Sequence, residues 1–180
     1  MNFLKILLIF FFASIFLSNC AKEEKTSLIV EEDVESQMIR AFKEGYDEFE
    51  AGDNLYAAKK FNEAELLFPQ SSWAPKAALM AAYVYYAQDY YYDAESELER
   101  FIKTYPKNPD LNYAHFLLAM CYYEKIIDEK KDLGPLLKAQ DKFNFIIKNY
   151  PNSDYAMDAQ YKINLIQDYL ASKEMYIASH

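Results

Sequence analysis

The side chains able to do chemistry are few and scattered. The two histidines, His115 and His180, lie far apart, and neither belongs to an H-E-x-x-H pattern that would set two ligands and a general base on one helix face. No Cys/His cluster has the spacing of zinc ligands. The three glycines, Gly45, Gly52 and Gly134, are too dispersed for a phosphate-cradling loop, a dinucleotide fingerprint or a nucleophile elbow, all of which need closely spaced glycines. Carboxylates are abundant, but Glu95, Glu97 and Glu99 alternate along a charged stretch and read as a solvated helix face. No enzyme, metal site or dissociable cofactor is expected from these residues.

Cys20 is the exception, because of where it lies. Met1 to Lys5 carries one positive charge, and Ile6 to Leu17 is twelve residues without any. A hydrocarbon span needs about 20 apolar residues, so this run is short for a transmembrane helix and fits the apolar core of a secretory signal. Leu17-Ser18-Asn19-Cys20 resembles the bacterial lipobox, in which the cysteine sulfur is acylated and becomes the mature N-terminus. Asn19 departs from the small residue usual at that position. On this reading residues 1–19 are a lipoprotein signal peptide and Cys20 is the lipid attachment site. The alternative is an uncleaved signal anchor with an incidental cysteine. Ala21 replaces the Asp that often retains such proteins in the inner membrane, which favours the periplasmic face of the outer membrane. Each buried CH₂ of an acyl chain contributes about 0.8 kcal/mol to anchoring.

Charge narrows the partners further. Loss of residues 1–19 removes Lys5 and no acid, taking the net charge from −9 to −10. Such a surface repels nucleic acid, whose binding relies on cations neutralising phosphates. Arg40 and Arg100 are the only arginines, so bidentate recognition of phosphate is scarce. Cys121 lies in an apolar run and is expected to be a small buried hydrophobe.

These residues must be positioned by elements, and the elements repeat. Aromatic-proline pairs recur at Phe68-Pro69, Tyr105-Pro106 and Tyr150-Pro151, with 37 and 45 residues between prolines. Twelve residues before each proline stands an alanine (Ala57, Ala94, Ala139), and four residues after each alanine a large apolar side chain (Phe61, Leu98, Phe143). Positions i and i+4 share one helix face, so small and large knobs alternate along a packing surface. A period of this size with this pattern indicates the tetratricopeptide repeat. The fold expected is an all-α tetratricopeptide-repeat solenoid of antiparallel helix pairs, about three repeats plus a partial fourth. Helices are expected at 36–51 with 54–68, 73–88 with 91–105, 109–127 with 136–150, and from 154 onward. Asp53-Asn54, Ser71-Ser72, Asn108 and Ser153-Asp154 read as N-caps, and Pro109 as a first helical residue. Gly52-Asp53 fits a tight turn, and residues 128–134 a longer charged loop. Residues 20–35 form a lipid-anchored flexible linker able to reach on the order of 50 Å at about 3.3–3.6 Å per residue, and 36–180 the repeat domain.

In such solenoids the first helix of each pair lines the concave surface. Counting back from the prolines places Phe42, Tyr46 and Phe49 inward in the first repeat and Leu79, Tyr83 and Tyr86 in the second. These six either line a groove for an extended peptide with aromatic or aliphatic side chains or fill space between helices.

Longer patterns carry a family resemblance. Phe68-Pro69-x-Ser71, Ala81-Ala82-Tyr83-x-Tyr85-Tyr86, Glu99-Arg100-Phe101-Ile102-x-x-Tyr105-Pro106, Tyr150-Pro151-Asn152-Ser153-x-Tyr155-Ala156-x-Asp158-Ala159 and Leu170-Ala171-x-Lys173-Glu174 together resemble the BamD family of outer membrane protein assembly lipoproteins. The resemblance covers residues 36–180. It implies a non-catalytic subunit of the β-barrel assembly (BAM) complex, scaffolding a BamA-like POTRA β-barrel protein beside other BAM lipoproteins and receiving the C-termini of unfolded outer membrane proteins. Relatives normally have five repeats, so the chain is expected to be C-terminally truncated, with the BamA contacts in the missing part, and to self-associate through apolar faces around Tyr169 and Met175. Leu133-Gly134-Pro135 departs from an Arg-Asp-Gln segment common in relatives. Two other classes compete with this reading: a pilotin-like repeat lipoprotein that escorts a secretin, and an envelope hydrolase.

Overall fold

The computed structural model describes residues 32–125 and 133–178, with side chains to 175. Within them lie seven helices: α1 Val34–Ala51, α2 Asn54–Leu67, α3 Ala74–Ala87, α4 Tyr91–Thr104, α5 Leu111–Glu124, α6 Gly134–Asn149 and α7 Asp154–Ala178. The expected signal peptide 1–19, Cys20, linker residues 20–31 and loop residues 128–132 lie outside this range, while linker residues 34 and 35 belong to α1. Each helix packs chiefly on the next, and the further pairings are between alternate helices, α3 with α5 and α5 with α7. That nearest-neighbour pattern is what a helical solenoid requires.

The repeat explains the packing. Ala57, Ala94 and Ala139 are fully buried, and so are Phe61, Leu98 and Phe143 one turn later. Alanine lets the paired helices approach, and the large side chain fills the space beside it. At Gly45 the approach is close: a Cβ there would lie 3.0 Å from Phe61 Cδ1 and 3.2 Å from the Ala57 carbonyl oxygen.

The ends of the second helices are built identically. After each aromatic-proline pair the carbonyl of the aromatic residue accepts from the amide three residues on: Ser71 to Phe68, Asn108 to Tyr105 and Ser153 to Tyr150, each at 3.0 Å. Proline presets the backbone dihedral for such a turn and cannot prolong the helix. Between the helices of a pair, Gly52 adopts φ 87° and closes α1, a left-handed conformation natural to glycine. One period later Asp89 takes the same role at φ 61°.

Several expected starts shift. α1 begins two residues earlier than expected because Asp33 Oδ1 accepts from the Ser36 amide at 2.9 Å. Asp53 caps α2 through the Tyr56 amide, and Ser71 Oγ accepts from Ala74 at 3.1 Å. Pro109 is not a first helical residue: Asn108 Oδ1 accepts from the Asp110 amide, this turn absorbs Pro109, and α5 starts at Leu111. The Ser153 hydroxyl does not cap α7 either, for it donates to the Tyr150 carbonyl at 2.8 Å.

Candidate functional groove

The apolar positions of α1, α3 and α5 leave an open groove of about 360 Å³. Phe42 comes from α1, Leu79, Met80 and Tyr83 from α3, and Tyr113 from α5; Trp73, just before α3, and Lys76, in its first turn, close one side. The wall is preorganised by ring contacts. Phe42 meets Phe61 and Trp73 edge-on, both at 5.2 Å between centroids, an arrangement favoured by ring quadrupoles. Tyr83 is backed by Phe49 at 5.8 Å, and Tyr113 by Tyr155 of α7 at 5.5 Å. Burial pushes the Tyr113 phenol well above its ordinary pKa, so it stays a neutral donor.

Lys76 is the one charged side chain of the lining. Its ammonium lies 4.9 Å above the Trp73 ring, a cation–π contact. None of the ion pairs among the described residues involves it.

Of the six residues expected to face inward, Phe42, Leu79 and Tyr83 line this groove. Tyr46 does not, although it is 47% exposed. Phe49 sits behind the wall, packed on the cluster of Ala57, Ala58 and Phe61. Tyr86 packs on Tyr91 and on the core of the following repeats; burial and the Glu124 carboxylate push its phenol up to about 12. The expectation missed Trp73, Lys76 and Tyr113. Advancing Lys76 by the 37-residue period gives Tyr113, so the inward stripe begins one turn earlier than the count from the prolines allowed.

Elsewhere the polar groups tie repeats together. Arg100 donates to both oxygens of Glu65 at 2.8 and 2.7 Å, and the Tyr105 hydroxyl donates to the same carboxylate at 2.7 Å. Glu95 accepts from Tyr122 and Lys125. Cys121 is fully buried, and burial pushes its thiol up to about 12. No cluster of three or more His, Cys, Asp or Glu suited to a metal occurs among the described residues, and no described helix is long and apolar enough to cross a membrane.

The stacked helix pairs, the alanine columns and the concave groove define a tetratricopeptide-repeat protein. Solved structures agree on the fold: the first TPR domain of human RPAP3 aligns with TM-score 0.56 over 78% of this chain and 97% of that one at 18% identity. The first TPR of Spaghetti (RPAP3) bound to HSP90 peptide SRMEEVD aligns with TM-score 0.55 over 75% and 94% at 16% identity. The chain belongs to the YfiO outer membrane lipoprotein family, whose model matches residues 34–180. Among its relatives, the outer membrane protein assembly factor BamD of Caulobacter vibrioides is 34% identical over 161 residues, covering 89% of this chain and 52% of the relative. The BamD of Rickettsia prowazekii is 33% identical over 145 residues, covering 81% and 58%. The chain thus spans a little over half the length of these curated relatives.

Proposed function

We propose that this protein is a non-catalytic lipoprotein subunit of the outer membrane β-barrel assembly machinery, held at the periplasmic face by lipid on Cys20. It scaffolds a BamA-like POTRA β-barrel protein beside other lipoproteins of the complex and receives unfolded outer membrane proteins by their C-termini. The observation that carries this reading is the 34% identity over 161 residues to an outer membrane protein assembly factor. The groove supports it: an open trough walled by Phe42, Leu79, Tyr83 and Tyr113 suits an extended segment with large apolar side chains, since ring area supplies contact energy at small entropic cost.

The deciding experiment is a pull-down of the lipidated gene product from detergent-solubilised outer membranes, with partners identified by mass spectrometry. A POTRA-bearing β-barrel is the expected partner. Recovery of a secretin without that barrel overturns the assembly reading in favour of a pilotin role.

A further inference from the structure

The two edges of the solenoid, where the chain turns from helix to helix, differ in charge. The edge within the pairs carries Glu48 and Glu50 at the end of α1, Asp53 after it, Asp89 after α3, Asp93 in the first turn of α4 and Glu124 at the end of α5. Lys125 lies there too but is paired with Glu95. The edge of the aromatic-proline turns instead carries Lys76 in the first turn of α3, Lys103 in the last turn of α4, Lys107 just beyond it and Lys148 in the last turn of α6. All four lysines are exposed, and none joins an ion pair among the described residues. Asp110 and Asp154 are their acidic neighbours, since the buried Glu65 is held by Arg100. At the start of α1, Glu32 is paired with Arg40 and Asp33 serves as the cap, leaving Glu35. From α3 onward the aromatic-proline edge is therefore the cationic one.

The chain leaves for Cys20 from that same edge. Met38 and Ala41, in the first half of α1, pack with Ala64, Ala77, Leu67 and Phe68, which sets the start of α1 beside the first aromatic-proline turn. The residues from Cys20 to Val34 reach on the order of 50 Å at most. A body of net charge −9 tethered to an anionic surface turns its acidic edge away and its cationic edge toward that surface. Both edges expose large apolar side chains, Leu55 and Tyr92 on one, Leu66 and Trp73 on the other, so charge and tether decide between them. We propose that the aromatic-proline edge lies on the phospholipid surface, with Lys103, Lys107 and Lys148 against headgroup phosphates. Leu66 and Trp73 then sit at headgroup level, the depth that tryptophan favours. This rests on the proposed lipid anchoring at Cys20 and adds to it the orientation of the solenoid above the membrane.

The test uses the full lipidated chain in vesicles of phosphatidylethanolamine and phosphatidylglycerol whose acyl chains are brominated next to the headgroup. Trp73 is the only tryptophan in the sequence, and in the unsubstituted chain its emission is expected to be quenched by the bromines. A Trp73→Phe background then takes one new reporter at a time. Leu66→Trp stands on the cationic edge, where the side chain is 77% exposed, and Leu55→Trp on the acidic edge, where it is 57% exposed. Bromine is expected to quench the first and spare the second. One lysine near an anionic surface favours contact by about five-fold. Lys103→Glu with Lys107→Glu and Lys148→Glu should therefore bring the quenching of Leu66→Trp down to that of Leu55→Trp, and added salt should weaken it. Equal quenching of both reporters overturns the orientation, as does quenching that survives the triple variant. If the chain floats with the vesicles and neither reporter is quenched, the orientation falls while the lipid anchor stands. If the chain does not float with them, the anchoring reading falls as well. Shielding of Leu66→Trp from acrylamide in outer membranes alone, without quenching by lipid, gives this edge to a protein and overturns the proposal.

Discussion

Glu65 is the one charged residue buried among those described. Its carboxylate is taken out of water on α2 and satisfied from α4 by the two parallel donors of Arg100 and by the Tyr105 hydroxyl just beyond that helix. Removing one partner of such a pair is costly because the other charge stays buried, whereas replacing both with apolar groups can be nearly neutral. Arg100→Met is therefore expected to destabilise the fold by about 2–3 kcal/mol, since Tyr105 still donates and Arg100 is itself half-exposed. Glu65→Leu with Arg100→Met should recover most of that loss in urea unfolding; an additive double variant would show that the two side chains are not coupled. His115 gives a pH-dependent counterpart. It lies against Phe145 and Tyr150 at 4.6 and 5.9 Å, and burial, with Lys142, holds its pKa below the ordinary 6.5. The folded state thus prefers the neutral ring. Its contribution is fully present above pH 6.5 and is lost as pH falls from there through the folded value. His115→Phe should flatten this part of the stability curve between about pH 5 and 7, measured by chemical denaturation at each pH.

Two glycines of the first repeat, Gly45 within α1 and Gly52 at its end, differ in kind. Gly45 faces Phe61 and the Ala57 carbonyl, so Gly45→Ala gains helix propensity but forces α1 and α2 apart. The net expectation is a loss of about 1–2 kcal/mol. Gly52 has open space around it and a left-handed backbone, so Gly52→Ala costs about 1 kcal/mol through the backbone alone. A Phe61→Leu background should relieve the first variant and not the second, as thermal unfolding can show. Element positions were legible because the aromatic-proline pairs stop the second helices and the alanine columns mark the packed faces. Local bonds were less legible: the last helix starts at Asp154 as expected, but Ser153 turns its hydroxyl back on Tyr150 and does not cap it, and Asn108 closes a turn that takes in Pro109 and moves the start of α5 to Leu111. The groove was half legible. Phe42, Leu79 and Tyr83 follow from periodicity, but Trp73 precedes its helix and Tyr113 belongs to a repeat whose inward face was not counted. Phe49 and Tyr86 share the inward register yet pack against neighbours, a distinction that depends on tertiary packing and not on spacing.

At the scale of the molecule, contacts run from each helix to its near neighbours, so stability is a sum of repeat and interface contributions. Phe61 and Phe143 are both fully buried but belong to clusters at different stations along the chain. Phe61→Ala and Phe143→Ala should each cost about 3–4 kcal/mol locally. Hydrogen exchange by mass spectrometry should show the first accelerating exchange in α1 to α3 and the second in α5 to α7. Uniform acceleration along the chain would mean that the repeats unfold as one unit. The buried Cys121 has a practical meaning at this scale. Its sulfur is screened from solvent and held as the neutral thiol, the form that maleimides and spin labels do not attack. A cysteine introduced on the groove rim is thus the faster-reacting thiol within residues 32–125 and 133–175, where Cys121 is a silent background for distance measurements.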